Sequence, residues 1–504
     1  MNKIPRILRI VLSLLVFAAL AWGFAIGVRD ANAGGFANLC QLQLGPALLR
    51  VVADFALVPL IIVLAILALT FLFGRFYCAF FCPLGILQDF IGWLAPGKSK
   101  PVKNFRALRW GIALAAFAFL AMGCAVAFKY LDPFSNFGRV AVATLTPAAH
   151  LARESLKKHF PLWYLDTHAT EGLIVWWGVA TLLVLVGLVV WKRRIFCTAL
   201  CPVGTLLGFF SARGLFKLKL NCSCACKRCV NVCPAGCIDP ASGIDNERCL
   251  RCMNCVAACP AKRIVFTAKR EPIAVNPSRR DFFGWAAVAG YAAFGAVIVQ
   301  KIVSANTFKI HKCPGNHGCR ACAKSIVPPG AGSPERFASL CTVCGLCVVN
   351  CKGGKGGAIQ PPTAKIPHPH LNFDKGYCEY NCCICSQVCP TGALRKMSLE
   401  EKQHCRVGMA EFDESICVAV IDGTHCGACA EHCPTTALQM VDLGSGIPVP
   451  VLNESLCIGC GACEYPCPTE PKAIVIKPVR VQVQAATPVH EPPPPPPKTD
   501  EWLI

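Results

Sequence analysis

An α-helical membrane bundle of about five transmembrane helices, carrying small α+β domains, is the fold class this sequence predicts. Three observations predict it. The mean hydropathy is +0.48, and 54% of the 504 residues are hydrophobic. Five apolar stretches are each long enough to cross a bilayer. The 37 cysteines fall in tight groups instead of standing singly.

The apolar stretches are Ile10–Val28, Phe55–Phe73, Trp110–Phe128, Leu173–Trp191 and Phe282–Val299. Each is roughly 18–20 residues, the length a hydrocarbon core demands. Lys3, Arg6 and Arg9 precede the first. Lys98, Lys100, Lys103, Arg106 and Arg109 follow the second, Lys192, Arg193 and Arg194 the fourth, and Arg279 and Arg280 precede the fifth. The positive-inside rule puts these flanks in the cytoplasm and, after five crossings, the C-terminal half outside. The loop from Lys129 to Glu171 also carries bases, Lys157 and Lys158 among them. The first stretch is read as a retained helix, since its apolar run is long for a signal peptide and no small-residue cleavage site stands near Val28.

The cysteines carry the chemistry. Thiolates suit iron, and a [4Fe–4S] cluster takes four of them. In two-cluster ferredoxins the last cysteine of each run serves the other cluster, so runs come in pairs. They do here. Cys249, Cys252, Cys255 and Cys259 form one run, and Cys226, Cys229 and Cys233 belong to the run before it. That earlier run has Ser223 where a first ligand is expected. Either Cys222 or Cys224 must substitute, and Cys224 is taken as the candidate. Cys237 is spare.

Four further runs follow: Cys341, Cys344, Cys347 and Cys351; Cys378, Cys382, Cys385 and Cys389; Cys417, Cys426, Cys429 and Cys433; Cys457, Cys460, Cys463 and Cys467. About six [4Fe–4S] clusters, or roughly 24 iron atoms, are expected in α+β ferredoxin-like domains. Structural zinc also uses C-x2-C pairs, but seldom triple runs ending in C-x3-C-P. Disulfides are disfavoured, since residues this close converge on one centre instead of pairing without strain. The formal charge of +21 counts each cysteine as neutral. Six clusters at about −2 each would remove about 12 of those charges.

The chain also repeats itself. "GRFYCAFFCPLGILQDF" from Gly74 echoes "RRIFCTALCPVGTLLGFF", whose second arginine is Arg194. Cys78/Cys82 and Cys197/Cys201 each stand one helical turn apart, so both thiols of a pair share a face. They are candidate redox dithiols, or a site for a metal or cofactor between the repeats, or they simply pack. Asp54 and Asp89 are candidates for moving protons near a membrane core. Cys40, Cys124 and Cys405 have no partner pattern. Cys313, Cys319 and Cys322 are too few for a cluster, though an added metal is open to them. No c-type haem motif, P-loop or dinucleotide fingerprint is present. The bases flank apolar stretches and do not interleave with aromatics, which excludes nucleic acid as a partner.

These motifs resemble a known family. Residues 1–270, with four helices, two C-x3-C-P motifs and a two-cluster domain, resemble the NapH-type membrane quinol dehydrogenase of periplasmic nitrate reductase systems. Residues 278–480 look like its NapG-type ferredoxin partner. That partner begins with a twin-arginine signal, here Ser278–Phe283, and carries a stretch like Pro328–Ala331 and four cluster motifs. The whole is similar to a fused bacterial 4Fe-4S binding membrane protein.

The resemblance implies a four-helix membrane domain over 1–212 and a cytoplasmic two-cluster domain over 213–270. A twin-arginine-like fifth helix over 278–305 leads to a periplasmic four-cluster domain over 306–480 and a Pro-rich tail over 481–504. It implies a multi-pass protein of the bacterial inner membrane that takes electrons from the quinol pool. [4Fe–4S] clusters would pass them to a periplasmic redox partner protein. The alternative is a maturation or copper-handling, metal-reducing factor for a periplasmic or membrane metalloenzyme.

Overall fold

The apolar stretches and the cysteine-rich loops become, in a computed structural model, a helical body that carries two groups of small β-ribbons. The structure describes residues 4–267 and 325–486, except 26–29, 55–56, 95–105, 122–125, 157–172, 222–225, 227, 240–242, 260–262, 354–356, 364–365, 367 and 443–445.

Helices α1 (Ile4–Ala25), α2 (Asp30–Gln41), α3 (Leu44–Asp54), α4 (Leu57–Phe73), α5 (Tyr77–Phe80), α6 (Pro83–Leu94), α7 (Arg106–Ala121), α8 (Val126–Leu131), α9 (Pro133–Leu156), α10 (Leu173–Trp191) and α11 (Pro202–Arg213) build the body. At its centre, α9 packs against α1, α6 and α10. Asp132 fixes its start. The Ser135 N–H and hydroxyl both donate to Asp132 Oδ2 at 2.7 Å, and Pro133 opens the first turn, where an N–H has no partner to lose. The stretch expected as a loop after Lys129 is therefore largely a helix of 24 residues. Phe17, Phe24, Phe134 and Phe137 interlock between α1 and α9, with ring centroids 5.4 to 6.1 Å apart.

The expected bundle of five membrane-spanning helices is not what the chain forms. Among the described residues, only Arg6–Ala25 within α1 is long and apolar enough to cross a bilayer. The second stretch gives α4, of 17 residues. The third gives α7, of 16 residues, which buries Arg109. Such helices rise about 24–26 Å, short of a ~30 Å hydrocarbon core. The fourth stretch is apolar over Val175–Trp191, again too short. Apolar composition records removal from water, whether into lipid or into a protein core, and does not fix where a helix stops. The fifth stretch, Arg279, Arg280 and Cys313, Cys319 and Cys322 lie outside the described residues, as do Cys124, Cys222 and Cys224. The architecture is a mixed helical body with small sheets.

Two cysteine-rich regions dock on that body. In the first, β1 (Lys217–Leu220) pairs antiparallel with β4 (Ile264–Thr267), and β2 (Ile238–Asp239) with β3 (Gly243–Ile244). Two short helices, α12 (Arg228–Asn231) and α13 (Asn254–Ala258), pack together between them. In the second, β5 (Ile359–Gln360) pairs with β6 (His370–Leu371), β7 (Cys405–Phe412) with β10 (Ile474–Gln484), and β8 (Leu438–Asp442) with β9 (Pro448–Leu452), all antiparallel.

Buried arginines make both joints. Arg75 Nη1 donates to the Glu247 carbonyl of the first region at 3.2 Å. Arg139 Nη2 donates to the Thr342 carbonyl of the second at 3.1 Å, with its guanidinium 5.3 Å from the Trp177 ring. The helix Ile384–Val388 packs on α2 beside it.

Candidate functional site

The regular C-x2-C-x2-C loops share one backbone device. Arg251 and Met253 flank Cys252, Val343 and Gly345 flank Cys344, and Gly459 and Gly461 flank Cys460, all with φ between +56° and +83°. Side-chain-bearing residues avoid this region, yet three of these six adopt it. The turn aims backbone donors at sulfur. The N–H two residues on reaches Cys249, Cys252, Cys341, Cys344 and Cys460. The longer Cys378-to-Cys382 and Cys417-to-Cys426 loops have no such pair.

The runs cross over. Cys249, Cys252 and Cys255 line, with Cys233 of the preceding run, one small apolar cavity. Cys457, Cys460 and Cys463 line, with Cys433, another. Cys341, Cys344 and Cys347 gather with Cys389. Cys378, Cys382 and Cys385 gather with Cys351. Cys226 and Cys229 lie with Cys259, and Cys426 and Cys429 with Cys417. Cys467 Sγ is 3.3 Å from Thr469 Oγ1.

The spare Cys237 sits inside the first enclosure, 3.5 Å from Cys233 Sγ. A hydrogen bond with Cys237, and then Arg251 and Arg75, pull the Cys249 thiol down to about 6 against its burial. Among the described residues, no three His, Cys, Asp or Glu side chains stand close enough to hold a single metal ion. The cysteines surround volumes, with N–H groups aimed at sulfur. That donor set fits a four-thiolate iron–sulfur cluster. The backbone bond from Cys378 N–H to the Cys460 carbonyl, 2.8 Å long, places two such sites side by side.

The two C-x3-C-P copies meet inside the helical body. Each closes with a wide turn: Cys82 N–H donates to the Tyr77 carbonyl at 3.1 Å, and Cys201 N–H to the Phe196 carbonyl at 2.9 Å. These five-residue steps are π-turns, a conformation enriched at functional sites. Pro83 and Pro202 then start α6 and α11. The glycine of each motif makes room for an arginine of the other copy. A Cβ on Gly85 would stand 2.4 Å from Arg194 Nη1, and one on Gly204 2.7 Å from Arg75 Nη2.

Burial pushes the Cys82 and Cys201 thiols well up, and raises Cys197 despite Arg194. As bare thiols they would hold their protons and make poor nucleophiles, which weighs against a dithiol exchange site.

Asp89 is a structural anion. Burial raises its carboxyl, but Arg194, bonded at 2.8 and 2.6 Å, and then Arg9 outweigh this and hold it below the ordinary value. Asp54 ends α3, and its side chain lies outside what the structure describes.

The carboxylate that sequence reasoning missed is Glu247, two residues before Cys249. It bonds Arg109, and Trp110 Nε1 donates to it at 3.3 Å. It lines an open groove of about 950 Å3 with Trp110, Phe209, Arg106 and Arg213. Nothing in the spacing around Glu247 marks it, because its partners come from α7 and α11.

Comparison with known proteins gives two family matches. A 4Fe-4S binding domain matches residues 55–101 and 173–221, the segments that hold the two C-x3-C-P copies. A 4Fe-4S dicluster domain matches residues 424–470. The ferredoxin-type protein NapF of Escherichia coli (strain K12) is 30% identical over 154 residues, which are 30% of this chain and 84% of that protein. The methylamine utilization ferredoxin-type protein MauM of Paracoccus denitrificans is 30% identical over 165 residues, 31% of this chain and 72% of that protein. The ferredoxin-type protein NapG of Escherichia coli (strain K12) is 30% identical over 181 residues, 32% of this chain and 73% of that protein. No solved structure matches.

Proposed function

Because the chain belongs to the family of ferredoxin-type 4Fe-4S proteins, and is an iron–sulfur electron-transfer protein, we propose that it oxidises a quinol at the groove beside Cys249. Its electrons would then go to a redox partner protein outside the cytoplasm. In this reading the N-terminal half works as a NapH-type quinol dehydrogenase module. α1 holds the protein at the bacterial cytoplasmic membrane, where a lipid-soluble donor is met.

The observation that carries the proposal is the groove itself. A quinol releases two electrons and two protons, so its site needs an aromatic slot, a proton acceptor and an adjacent electron acceptor. Trp110 and Phe209, packed edge to face with ring centroids 5.7 Å apart, offer one wall of the slot. Glu247 offers the carboxylate, held by Arg109 and Trp110. Cys249 follows two residues later. Bound clusters supply one-electron acceptors. The chain's part is to orient the ring, take one proton on Glu247 while the second leaves to the water of the open groove, and keep the hydroxyl near the Cys249 loop, from which the two electrons would pass one at a time.

The test is anaerobic reduction of the full-length protein by a soluble quinol analogue, followed by the visible absorbance of the clusters. Glu247→Gln keeps the shape and removes the base. It should slow this reduction about 100-fold or more, the usual worth of a positioned base, with iron content unchanged. Unchanged kinetics would remove Glu247 and the groove from the quinol site.

A further inference from the structure

We propose that Cys78, Cys82, Cys197 and Cys201 together ligate one further iron–sulfur cluster, set between the two groups of clusters already described. The proposal rests on the iron–sulfur reading of the chain and adds a site to it.

The four sulfurs share one feature. Each receives a donor: Arg75 Nη2 reaches Cys78 Sγ at 3.9 Å, the Gly85 N–H reaches Cys82, Gln88 Nε2 reaches Cys197 Sγ at 3.2 Å, and the Gly204 N–H reaches Cys201 Sγ at 3.3 Å. None of the four has a hydrogen-bond acceptor for an S–H among the described residues. Donors without acceptors are what anionic sulfur requires, as in the ferredoxin loops of this chain.

The charge around them asks for the same thing. Arg75 and Arg194 are both fully buried. Asp89 balances Arg194. The position matching Asp89 in the second copy is Gly208, seven residues after Cys201 as Asp89 is seven after Cys82. There the Glu247 carbonyl takes the place of a carboxylate, only 2.7 Å from where a Gly208 Cβ would be. Arg75 thus carries a buried positive charge with no carboxylate among its described partners, an expensive state unless an anion lies beside it. The N-termini of α6 and α11, twelve residues each, point the same way. A cluster with four thiolates, at about −2, meets this excess.

The symmetry fits a single shared ligand. Each copy gives two cysteines, one arginine and one helix start, so one centre on the axis between them is held equivalently from both sides. Both [2Fe–2S] and [4Fe–4S] clusters accept four thiolates.

The position gives the site a role. Arg75 spans from Cys78 Sγ to the Glu247 carbonyl, beside Cys249. On the other side, the Tyr77 hydroxyl donates to Gln43 Oε1 at 2.8 Å and accepts from the Leu44 N–H at 3.0 Å. That turn begins near Cys40, which is buried beside Cys344. A centre here closes the gap between the Cys249 and Cys344 sites. Electron exchange between them makes and breaks no bond.

The experiment is iron and acid-labile sulfide analysis with electron paramagnetic resonance on the anaerobically purified full-length protein. The double variant Cys78→Ser with Cys197→Ser should lose about four irons, or about two for the smaller cluster, with matching sulfide and one resonance. The other signals should stay. Gln88→Met, which removes the donor to Cys197 Sγ, should keep all the iron and lower the midpoint potential of one centre only. Equal iron and identical spectra in wild type and double variant, at about 24 irons each, overturn the site and leave the ferredoxin reading standing. Wild-type protein with no sulfide overturns both. If the double variant cannot be isolated, Gln88→Met decides, and a spectrum with no shifted centre overturns the site.

Discussion

Arg75 and Arg194, at matching places in the two halves of the chain, each hold the other half's first cysteine. Arg75 Nη2 donates to the Cys197 carbonyl and Arg194 Nη1 to the Cys78 carbonyl, both at 2.8 Å. This exchange makes the repeat a single structural unit. It also explains the glycine in each C-P-x-G, because either guanidinium passes where a side chain would stand.

Gly204→Ala puts a methyl 2.5 Å from the Cys197 carbonyl oxygen as well as against Arg75. Neither neighbour is a free surface end, so the backbone must shift. Overpacking of this kind costs about 1–3 kcal/mol. Denaturant unfolding of the purified protein should show that loss. Ala at Gly187, inside α10 with nothing within 4 Å, should cost nothing and gain up to about 1 kcal/mol of helix propensity.

Thr469→Val should lower one cluster potential. The threonine hydroxyl lies 3.3 Å from Cys467 Sγ, and Thr391 and Thr435 stand at 3.7 Å from Cys389 and Cys433 in the same C-P-T pattern. Hydrogen bonds to sulfur favour the reduced, more negative cluster. Loss of one, at about 1 kcal/mol, shifts a one-electron potential down by roughly 40 mV. Redox titration of the variant should find one centre moved and the rest unmoved, and Thr469→Ser should restore it.

His368 should make the second cysteine-rich region acid-sensitive. Burial pulls its imidazole down from 6.5 to about 4, with Lys129 and His370 adding to this, while a bond to the Pro369 carbonyl opposes it. It packs edge-on to Phe337 at 5.4 Å. The folded state therefore resists the proton that the unfolded chain takes up below pH 6.5. Stability should fall between pH 6.5 and about 4, by about 2 kcal/mol at pH 5. His368→Gln should flatten that slope in unfolding curves taken at pH 7 and pH 5.

The cysteine groupings were legible because their members are near neighbours in sequence. Spacing alone brought Cys249, Cys252 and Cys255 together, and the rule of crossed runs anticipated Cys233 beside them. The repeat around Cys78 and Cys197 was legible as an echo. Its meaning was not, since the arginine exchange joins residues more than a hundred positions apart. The helical body was misread for a physical reason. Hydropathy cannot separate a lipid-facing run from one that packs in protein, and Arg75, Arg109, Arg139 and Arg194 are buried only because distant segments supply their partners. Glu247 was invisible for the same reason. The start of α9 was misread as loop, although Asp132, Pro133 and Ser135 spell a cap.

The most direct measurement follows electrons from quinol to the far group of clusters. A soluble quinol analogue is mixed anaerobically with the full-length protein, and the paramagnetic signals assigned to the Cys341–Cys467 sites are recorded. The account predicts that these signals appear, and that they vanish in the Cys78→Ser, Cys197→Ser variant while the Cys249 site is still reduced. Signals that appear only with a strong chemical reductant, and never with quinol, would contradict it.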